Sequence, residues 1–516
     1  MTLPADGLLR ATPQSRGTDP AVILGLFETI EREGIELHSL LIWHDGALVT
    51  EAYWAPFAAN RPHMMHSVTK SFTSMAVGLA VGDGLMSIDD PVMRFFPEHD
   101  GINPSEKLGR MTVRHLLTMT SGHARGISGG SWRQLETSWV ADFLRQPIPH
   151  EPGEVFVYDS AASYMLSAIV QKATGRRVSD YLAERIFAPM DMSAAMRWDI
   201  GTDGVNTGGN GLSCLSSDLL KLGILHLQGG VWQGRALLSP DWVRDATGTQ
   251  VQDVILGVFT GAHYLGPDEV GDGTPPEKRE GYGYHWWRGP HGSFSANGLF
   301  GQYCIVLPDE NAVVAFTGGM ADDDRRVHRL IYDALRPALG AGAAVDNDTL
   351  ADATAGLTFR IQPGPDTSAM APRDWQGRYA MVENDQTAGQ IALRSSGVDV
   401  EFSLTDARGT HTIVAGFGHW VEAMTTMTGA RLHHSYEPRD GLRVLACARW
   451  LPEAGGWACL EMDWLFVETA FRDTVRCWIR GGTLRVTRTV NVNSSHLALP
   501  ELQGERLGVA HTLGIS

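Results

Sequence analysis

The spacing of apolar and polar residues predicts two paired strands followed by a helix near the start of the chain. Residues 38–53 read HSLLIWHDGALVTEAY, and Asp-Gly between two alternating apolar runs is typical of a hairpin. In residues 67–81 apolar side chains recur at helical spacing, and Gly82-Asp83-Gly84 then ends the run. We therefore expect a hairpin and then an amphipathic helix.

The pattern after this helix predicts a largely helical middle and a second group of strands. Helical spacing continues in four segments, 113–119, 161–174, 217–227 and 240–247. Strand character returns at 294–316, with a hairpin at 308–311, and a closing helix is expected at 323–339. This order predicts a mixed α/β core that carries a helical insertion over about residues 75–280.

A change of pattern in the last third of the chain predicts a second domain. Residues 340–373 are rich in Ala, Gly, Asp, Thr and Pro without strong periodicity, which is typical of a linker. From 374 to 516, short alternating runs separated by turns predict an antiparallel sandwich or barrel. The first domain is thus expected at 1–339. In the second domain, the apolar stretch 464–471 fits the barrel core or an interdomain face, and we favour the core. His433-His434 are expected on the surface.

The charge balance narrows the class of partner. Among 516 residues, 42 Lys and Arg stand against 59 Asp and Glu, which gives a formal net charge of −17, and the chain has no basic stripe. This argues against nucleic acid or an anionic membrane as the main partner and favours a small neutral or cationic substrate. The first residues lack the pattern of a signal peptide, and no apolar run has membrane-spanning length. We expect a cytoplasmic protein.

Residues that commonly bind metals or phosphates do not form a recognisable site in the sequence. His63 and His66 lack a third ligand at metal spacing, and Asp322-Asp323-Asp324 is interpreted as a helix cap. No Gly-rich phosphate loop is found. Neither a disulfide framework nor a zinc site is indicated by the five cysteines, which are Cys214, Cys304, Cys447, Cys459 and Cys477. The chemistry is therefore expected to need no metal and no cofactor.

One Ser-x-x-Lys motif stands at the start of the first strong helix. Ser67 and Lys70 are three residues apart, so they share one helical face, and a desolvated lysine amine could take the proton of the serine hydroxyl. Only 5 of the 42 basic residues are lysines, and arginine could not serve as this base because it stays protonated. The alternative is that Ser67 is merely an N-cap and Lys70 a solvated side chain.

Five ordered blocks, which span about residues 40–339, resemble a known family: HSVTKSFTSMAVGLAVGDGLMSIDDPV, MTVRHLLTMTSGH, VYDSAASYMLSAIVQKATG, GNGLSCLSSDLLKLG and FSANGLFGQYCIVLPDENAVVAF. The family is that of the serine β-lactamases and penicillin-binding proteins. The blocks are most similar to its class C-like branch, which includes family VIII carboxylesterases, D-aminopeptidases and 6-aminohexanoate-dimer hydrolases. The resemblance implies an α+β (α/β) β-lactamase-like fold, in which helices flank an antiparallel sheet and form an all-helical subdomain. The C-terminal domain loosely resembles lipocalin-like β-barrels that are appended to some of these enzymes.

The resemblance also implies roles for particular residues. Ser67 takes the position of the acylated nucleophile, Lys70 that of the base or its partner, and Tyr158 that of the catalytic tyrosine. Ser160 stands where the family usually has asparagine, and a serine reaches less far toward substrate. The backbone N–H groups of Ser67 and Leu299 would form the oxyanion hole.

The third family motif departs most from the pattern. Where β-lactamases carry Lys-Thr-Gly, this chain has Ala296-Asn297-Gly298. Ala296 lacks the cation that helps to hold a substrate carboxylate, so efficient β-lactam hydrolysis is disfavoured. Trp286 and Trp287 precede this strand, and lining the cleft and packing in the core are equally good interpretations of them.

These residues favour a serine hydrolase that acts on small or peptide-like esters and amides through an acyl-enzyme. The nearest alternatives are a penicillin-binding-protein-type acyltransferase or peptide cyclase and a D-aminopeptidase. A catalytically inert scaffold that kept the fold is the alternative from another class, supported by the changes at Ser160 and Ala296. The expected partner is a small ester, amide or short peptide, and a homodimer is left open.

Overall fold

A computed structural model describes residues 6–508, apart from 253, 261–262, 270–273, 275–277, 322–323, 343–346, 428 and 439. The chain divides into two compact units, Met1–Arg360 and Ile361–Ser516. The division falls inside the segment expected as a linker. That segment is not featureless, because its helix Asn347–Ala355 belongs to the first unit and buries Leu350.

The first unit is built on an antiparallel sheet. Its strands are, in chain order, β1 Leu37–His44, β2 Ala47–Tyr53, β3 His63–Met64, β4 Arg125–Ile127, β5 Arg197–Trp198, β6 Leu212–Cys214, β7 Val231–Trp232, β8 Arg235–Ala236, β9 His263–Leu265, β10 Trp287–Arg288, β11 Phe294–Gly298, β12 Gln302–Leu307 and β13 Ala312–Gly318. Six of them form the main sheet in the order β10-β11-β12-β13-β1-β2. The first hairpin therefore joins the last strands of the unit, and β1 pairs with β13.

Helices cover this sheet and fill the middle of the chain. They are α1 Pro20–Arg32, α2 Thr69–Gly82, α3 Glu106–Arg110, α4 Val113–Leu117, α5 Gly129–Trp132, α6 Trp139–Arg145, α7 Ser160–Thr174, α8 Val178–Leu182, α9 Ser216–Leu227, α10 Pro240–Thr247, α11 Arg326–Arg329, α12 Arg336–Ala338 and α13 Asn347–Ala355. Short 3₁₀ turns lie at Pro13–Arg16, His66–Val68, Val92–Phe95 and Pro97–His99, and π-helical turns at Ala183–Phe187 and Leu330–Leu335. The closing helix thus consists of three consecutive segments, α11, a π-turn and α12.

Close packing of α9 on the sheet explains a glycine in the middle of that helix. A Cβ on Gly223 would lie 2.5 Å from the Cys304 sulfur and from a Val313 methyl group. The missing side chain lets the helix backbone approach β12 and β13, as a buried layer requires. Helices α2 and α7 are buried along almost their whole length, so the helix that directly follows the candidate nucleophile lies in the core.

The fold class of the first unit is confirmed. The expectation of an all-helical subdomain over about residues 75–280 is wrong, because the short strands β4 to β9 lie in this range and form small antiparallel pairs. Both hairpins and the helices at 161–174, 217–227 and 240–247 are present within a residue or two. Helix α1 was not predicted, although its start is marked by Asp19, whose side chain accepts a hydrogen bond from Ala21 N, and by Pro20 at the first helical position. Its buried Ile23, Leu26, Phe27 and Ile30 recur at helical spacing.

The second unit is an antiparallel barrel, as expected. Its strands are β14 Gly377–Met381, β15 Gln390–Ser396, β16 Asp399–Asp406, β17 Gly409–Phe417, β18 Val421–Thr425, β19 Leu442–Ala454, β20 Trp457–Leu465, β21 Arg472–Arg480, β22 Thr483–Val490 and β23 Leu502–Arg506, and a 3₁₀ turn lies at Ser368–Met370. Nine of them close into a ring when β17 pairs with β19, and β18 pairs on the side of β19. The closing pair, β17 and β19, is parallel. Strand β18 lies between these two strands in the chain and runs antiparallel to β19.

Two expectations for the second unit have different outcomes. The stretch Trp464–Phe471 is buried, in agreement with a place in the core. The surface placement of His433 and His434 is wrong, because both are buried. The His433 ring stacks on Phe471 with centroids 4.6 Å apart, and its Nε2 lies 2.8 Å from an Asp473 oxygen. A buried carboxylate partner allows this histidine to lie in the core. Its polar neighbours in the sequence give no sign of this burial.

Three smaller expectations concern caps, cysteines and membrane spans. Asp322 and Asp323 lie outside the described residues, and the Asp324 side chain accepts a hydrogen bond from Arg326 N. All five cysteines are buried free thiols. Among the described helices, none is both long enough and apolar enough to cross a membrane.

Candidate active site

Ser67 lies in a 3₁₀ turn that leads directly into the buried helix α2. The preceding His66 has φ +47°, a left-handed conformation that is costly for a residue with a side chain and that is found at functional turns. The Thr69 hydroxyl fixes this turn, since it donates to His66 O at 2.6 Å and accepts from Leu212 N at 3.2 Å. The serine is therefore held at the start of a helix that cannot shift freely.

The Lys70 amine is buried and contacts three oxygen atoms. Its Nζ lies 3.0 Å from Ser67 Oγ, 3.0 Å from Ser160 Oγ and 2.8 Å from the carbonyl oxygen of Gly209. Only 1% of the lysine is exposed, so the interpretation of Lys70 as a solvated side chain is wrong. The structure thus brings together the predicted Ser67, Lys70 and Ser160 and adds a backbone carbonyl that the motif did not indicate.

Burial gives Lys70 the protonation behaviour of a base near neutral pH. Desolvation lowers the pKa of its amine to about 7, while the negative charge of Asp159 opposes part of this shift. A neutral amine can donate two hydrogens, to Gly209 O and Ser160 Oγ, and present its lone pair to the Ser67 hydroxyl. The arrangement can therefore accept the serine proton.

Tyr158 lies beside this pair, two residues before α7 begins. The Lys70 amine is 4.7 Å from the centroid of its ring. The ring is stacked against Trp287 at 5.6 Å and meets Tyr264 edge-on at 4.9 Å. The next residue, Asp159, caps α7 by accepting a hydrogen bond from Ala161 N, and it also accepts one from Ile127 N. These two hydrogen bonds hold the backbone beside Tyr158 in place.

A glycine-rich loop presents the carbonyl group that Lys70 contacts. A Cβ on Gly208 would lie 2.2 Å from Ser163 O, and a Cβ on Gly209 would lie 2.7 Å from Ser160 O. Only glycine allows the loop to approach the first turn of α7 this closely. The block GNGLSC, which was singled out in the sequence for its resemblance, begins at Gly209, and the structure supplies the physical reason for this glycine.

Strand β11 forms the opposite side of the site. Asn297, Gly298 and Leu299 line the cleft, whereas Ala296 points into the core on the other face of the strand. A Cβ on Gly298 would lie 2.2 Å from Met65 O, so the strand packs directly on the segment that carries the nucleophile. The Asn297 Oδ1 atom is buried and has no hydrogen-bond partner among the described residues.

The two tryptophans that the sequence left undecided have separate roles. Trp287 lines the cleft beside Tyr158. Trp286 is completely buried and packs against His226 and Phe294, so it belongs to the core.

The described part of the cleft has a volume of about 260 Å³ and an apolar, aromatic wall. Residues that sequence reasoning missed make up much of that wall: Leu256, Gly257, Val258, Phe259, Tyr264, Lys278, Tyr303 and Arg325. Pairing of β9 with β4 brings Tyr264 next to Tyr158, a long-range contact without a local signal. The described lining includes two cations and no carboxylate, in contrast to the negative charge of the whole chain.

The histidines near the nucleophile have packing partners. His63 Nε2 lies 2.9 Å from His38 Nδ1, and the His66 ring meets Phe300 edge-on at 5.2 Å. Across the described residues, no cluster of His, Cys, Asp or Glu has the form of a metal site.

The fold and the serine–lysine arrangement are those expected of the serine β-lactamase and penicillin-binding-protein family. A family model described as Beta-lactamase matches residues 27–336, and the protein belongs to this family.

Two relatives and one solved structure illustrate the similarity. The chain is 24% identical over 302 residues to a 6-aminohexanoate-dimer hydrolase of Paenarthrobacter ureafaciens, and the aligned region covers 56% of this chain and 74% of that protein. It is 26% identical over 159 residues to a monacolin J acid methylbutanoyltransferase of Aspergillus terreus, over 27% of this chain and 38% of that protein. A solved structure from Bacillus anthracis, provisionally named a 6-aminohexanoate-dimer hydrolase, aligns with a TM-score of 0.50 at 17% identity. It covers 63% of this chain and 85% of its own.

Proposed function

We propose that this protein is a serine hydrolase that cleaves ester or amide bonds of small or peptide-like substrates through an acyl-enzyme on Ser67. The observation that carries the proposal is the 3.0 Å contact between Ser67 Oγ and the buried Lys70 amine, whose pKa is lowered to about 7. Membership of the Beta-lactamase family and the similarity to a 6-aminohexanoate-dimer hydrolase support it.

The reaction has two half-reactions that use the same groups. Ser67 Oγ attacks the substrate carbonyl carbon while its proton passes to the Lys70 amine, and the N–H groups of Ser67 and Leu299 stabilise the oxyanion. The bond to the leaving group breaks, and the alcohol or amine departs with the proton. Water then attacks the acyl-enzyme, releases the acid and restores the serine hydroxyl.

Tyr158 and Ser160 complete the proton path in this proposal. The Tyr158 ring lies close to the Lys70 amine, so its hydroxyl can deliver a proton to the leaving group. Ser160 accepts from Lys70 and orients the amine in place of the family's asparagine. Asn297, whose buried Oδ1 has no partner within the described part of the chain, accepts a hydrogen bond from the substrate.

Acyl transfer is the second candidate. The similarity to a methylbutanoyltransferase favours it, because a transferase uses the same acyl-enzyme and replaces water by another acceptor. A D-aminopeptidase or a peptide cyclase differs only in the substrate or the acceptor, so the substrate panel below also tests these activities.

The test compares the protein with Ser67→Ala on p-nitrophenyl esters, D- and L-amino acid p-nitroanilides and nitrocefin. Ser74→Ala is the matched control, since Ser74 lies in the same helix α2 and its buried hydroxyl has no partner among the described residues. We expect turnover by the wild type and by the control, and none by Ser67→Ala.

Intact-mass measurement with a fluorophosphonate probe separates the alternatives. An adduct that depends on Ser67, with turnover, supports the hydrolase. A Ser67-dependent adduct indicates a transferase if substrate turnover is absent in buffer and begins only when an alcohol or amine acceptor is added. The absence of any Ser67-dependent adduct would mean a scaffold and would contradict the proposal.

A further inference from the structure

One carboxylate is buried within the short segment that faces the Lys70 amine. Asp159 is completely buried, and it stands between Tyr158 and Ser160, two residues that both approach this amine. Its backbone N–H donates to the Met119 sulfur at 3.3 Å. The carboxylate therefore belongs to the same segment as two of the groups that surround the proposed base.

The side chain of Asp159 holds this segment in place. Its Oδ1 accepts a hydrogen bond from Ala161 N at 2.8 Å, which caps α7, and another from Ile127 N at 3.0 Å, which connects the segment to β4. Strand β4 also packs on the backbone here, because a Cβ on Gly126 would lie 1.8 Å from Tyr158 O. A helix start and two N–H donors stabilise a negative charge on the carboxyl group.

The second oxygen of this carboxylate has no hydrogen-bond partner among the described residues. Asp159 Oδ2 lies 3.6 Å from His123 Nδ1, which is longer than a hydrogen bond, and the His123 ring lies edge-on to Phe143 at 4.6 Å. In a buried position of low dielectric, the charge of such an oxygen acts more strongly on its neighbours than it would in water.

Among the groups around Lys70, Asp159 supplies the negative charge. Burial lowers the pKa of the Lys70 amine to about 7, and the charge of Asp159 opposes this change. His285 is neutral because burial lowers its pKa to about 3, and burial raises the pKa of Tyr282 well above its ordinary value. The other titratable side chains packed in this region are His123, Tyr158 and Tyr264.

We propose that Asp159 is a positioning residue whose charge stabilises the ammonium group that Lys70 becomes when it takes the Ser67 proton. This inference rests on the proposed function and adds a residue to it. The proton moves from Ser67 Oγ to Lys70 Nζ as the bond to the substrate carbonyl carbon forms, so a positive charge appears in a buried site where desolvation disfavours it. Asp159 is not among the described residues that line the cleft, so it acts through Lys70.

The test measures kcat/KM for a neutral p-nitrophenyl ester between pH 4.5 and 9. Asp159→Asn keeps an oxygen that can accept from Ile127 N and Ala161 N, and it removes the charge. Because this charge raises the pKa of Lys70, its removal should move the midpoint of the profile at least about half a pH unit below that of the wild type. The plateau at high pH should fall at least about tenfold, because the ammonium formed in the reaction loses its counter-charge.

Two further substitutions separate the charge of Asp159 from its hydrogen bonds. Asp159→Ser introduces another neutral N-cap residue, so the midpoint should move in the same direction. Asp159→Glu keeps the charge, and the midpoint should stay at the wild-type value even if the plateau falls. The matched control is Asp19→Asn, because Asp19 caps α1 by accepting from Ala21 N at 2.9 Å and lies outside the described cleft lining. This control should keep the wild-type profile.

A second measurement follows the first half-reaction alone. The rate at which a neutral fluorophosphonate probe labels Ser67, measured by intact mass, should show the same midpoints as kcat/KM. His123→Gln removes the imidazole beside Asp159 and should leave the midpoint unchanged. A shift in His123→Gln as large as that in Asp159→Asn would mean that the histidine titrates in the profile, and it would overturn the assignment to Asp159.

The possible outcomes distinguish this inference from the proposed function. A lower plateau with the wild-type midpoint in both neutral variants would mean that Asp159 only anchors the segment, and it would overturn the inference while the hydrolase proposal stands. Loss of folding in both neutral variants, seen by circular dichroism while Asp19→Asn is folded, would have the same meaning. If the wild type turns over no ester and forms no Ser67 adduct, the proposed function itself fails.

Discussion

At the scale of single residues, the protonation state of Lys70 sets the expected pH dependence. The proposed base is active only as the neutral amine, and burial lowers its pKa to about 7. Below pH 7 most of the enzyme carries an ammonium at this position, and above it the amine is free. We therefore expect kcat/KM for a neutral ester to rise between pH 5.5 and 8.5 with a midpoint near 7. A flat profile over this range would contradict the assignment.

The variant Lys70→Arg tests the same group without the loss of positive charge. A guanidinium cannot be deprotonated at these pH values, so kcat/KM should fall at least about 100-fold at every pH. Lys172→Arg is the control, because this exposed lysine pairs with Glu98 on the surface of the first unit. Circular dichroism establishes that both variants are folded. Turnover by Lys70→Arg at the wild-type level would exclude Lys70 as the base.

Tyr158→Phe removes one hydroxyl and leaves the ring stack with Trp287 and Tyr264 in place. If the hydroxyl carries the proton to the leaving group, kcat should fall about 100-fold with little change in KM. Tyr181→Phe, which breaks a hydrogen bond to Asp83 elsewhere in the unit, serves as the control. A decrease of less than about tenfold in Tyr158→Phe means that another group transfers this proton.

The sequence predicted the residues whose chemistry is local and missed those that tertiary structure brings together. Ser67 and Lys70 meet because they are three residues apart in a 3₁₀ turn that continues into α2, so spacing alone predicted their contact. The Gly209 carbonyl, Tyr264 and Arg325 reach the site from distant segments, and no short pattern encodes such encounters.

At the scale of elements, strand β11 positions the nucleophile segment through a glycine. Gly298→Ala would place a methyl carbon 2.2 Å from Met65 O, a contact that only movement of the strand or of the turn can relieve. We expect kcat/KM to fall at least about tenfold and unfolding to occur at lower temperature, because the strand also carries Asn297 and Leu299. Steady-state kinetics and differential scanning calorimetry measure both effects.

Gly82→Ala is the matched control for this substitution. Gly82 lies in α2, the helix behind the nucleophile, and nothing lies within 4 Å of the added Cβ. Alanine is favoured over glycine in a helix by about 1 kcal/mol, so this variant should be slightly more stable and fully active. Wild-type activity and stability in Gly298→Ala would show that the strand tolerates displacement, contrary to the role proposed for it.

Hairpins and amphipathic helices were predictable because their signals are local. Asp45-Gly46 predicted the first hairpin, and the turn at 308–311 predicted the second, with strands that match the structure. The pairing of β1 with β13, which closes the sheet, and the parallel closure of the barrel depend on partners far away in the chain. The same holds for α13, whose weak apolar pattern concealed a helix.

At the scale of the whole molecule, buried histidines couple stability to pH. Burial lowers the pKa of His226 to about 4 and that of His285 and His328 to about 3. These side chains are neutral in the folded protein, whereas in the unfolded chain they bind protons below about pH 6.5. The unfolded state therefore takes up more protons as the pH falls, and the free energy of unfolding decreases from pH 6.5 down to about 4.

Each such histidine contributes a slope of at most about 1.4 kcal/mol per pH unit in this range. We expect urea unfolding, followed by tryptophan fluorescence, to show a decrease in the free energy of unfolding of the first unit between pH 6.5 and 4.5. His226 packs against Trp286 at 4.6 Å in the core, so His226→Leu keeps an apolar contact and removes one titrating group. In this variant, the slope of the free energy of unfolding against pH should decrease by up to the contribution of one proton, about 1.4 kcal/mol per pH unit, whatever its stability at pH 7. An unchanged slope in His226→Leu would contradict burial of a neutral histidine as the cause of the acid sensitivity.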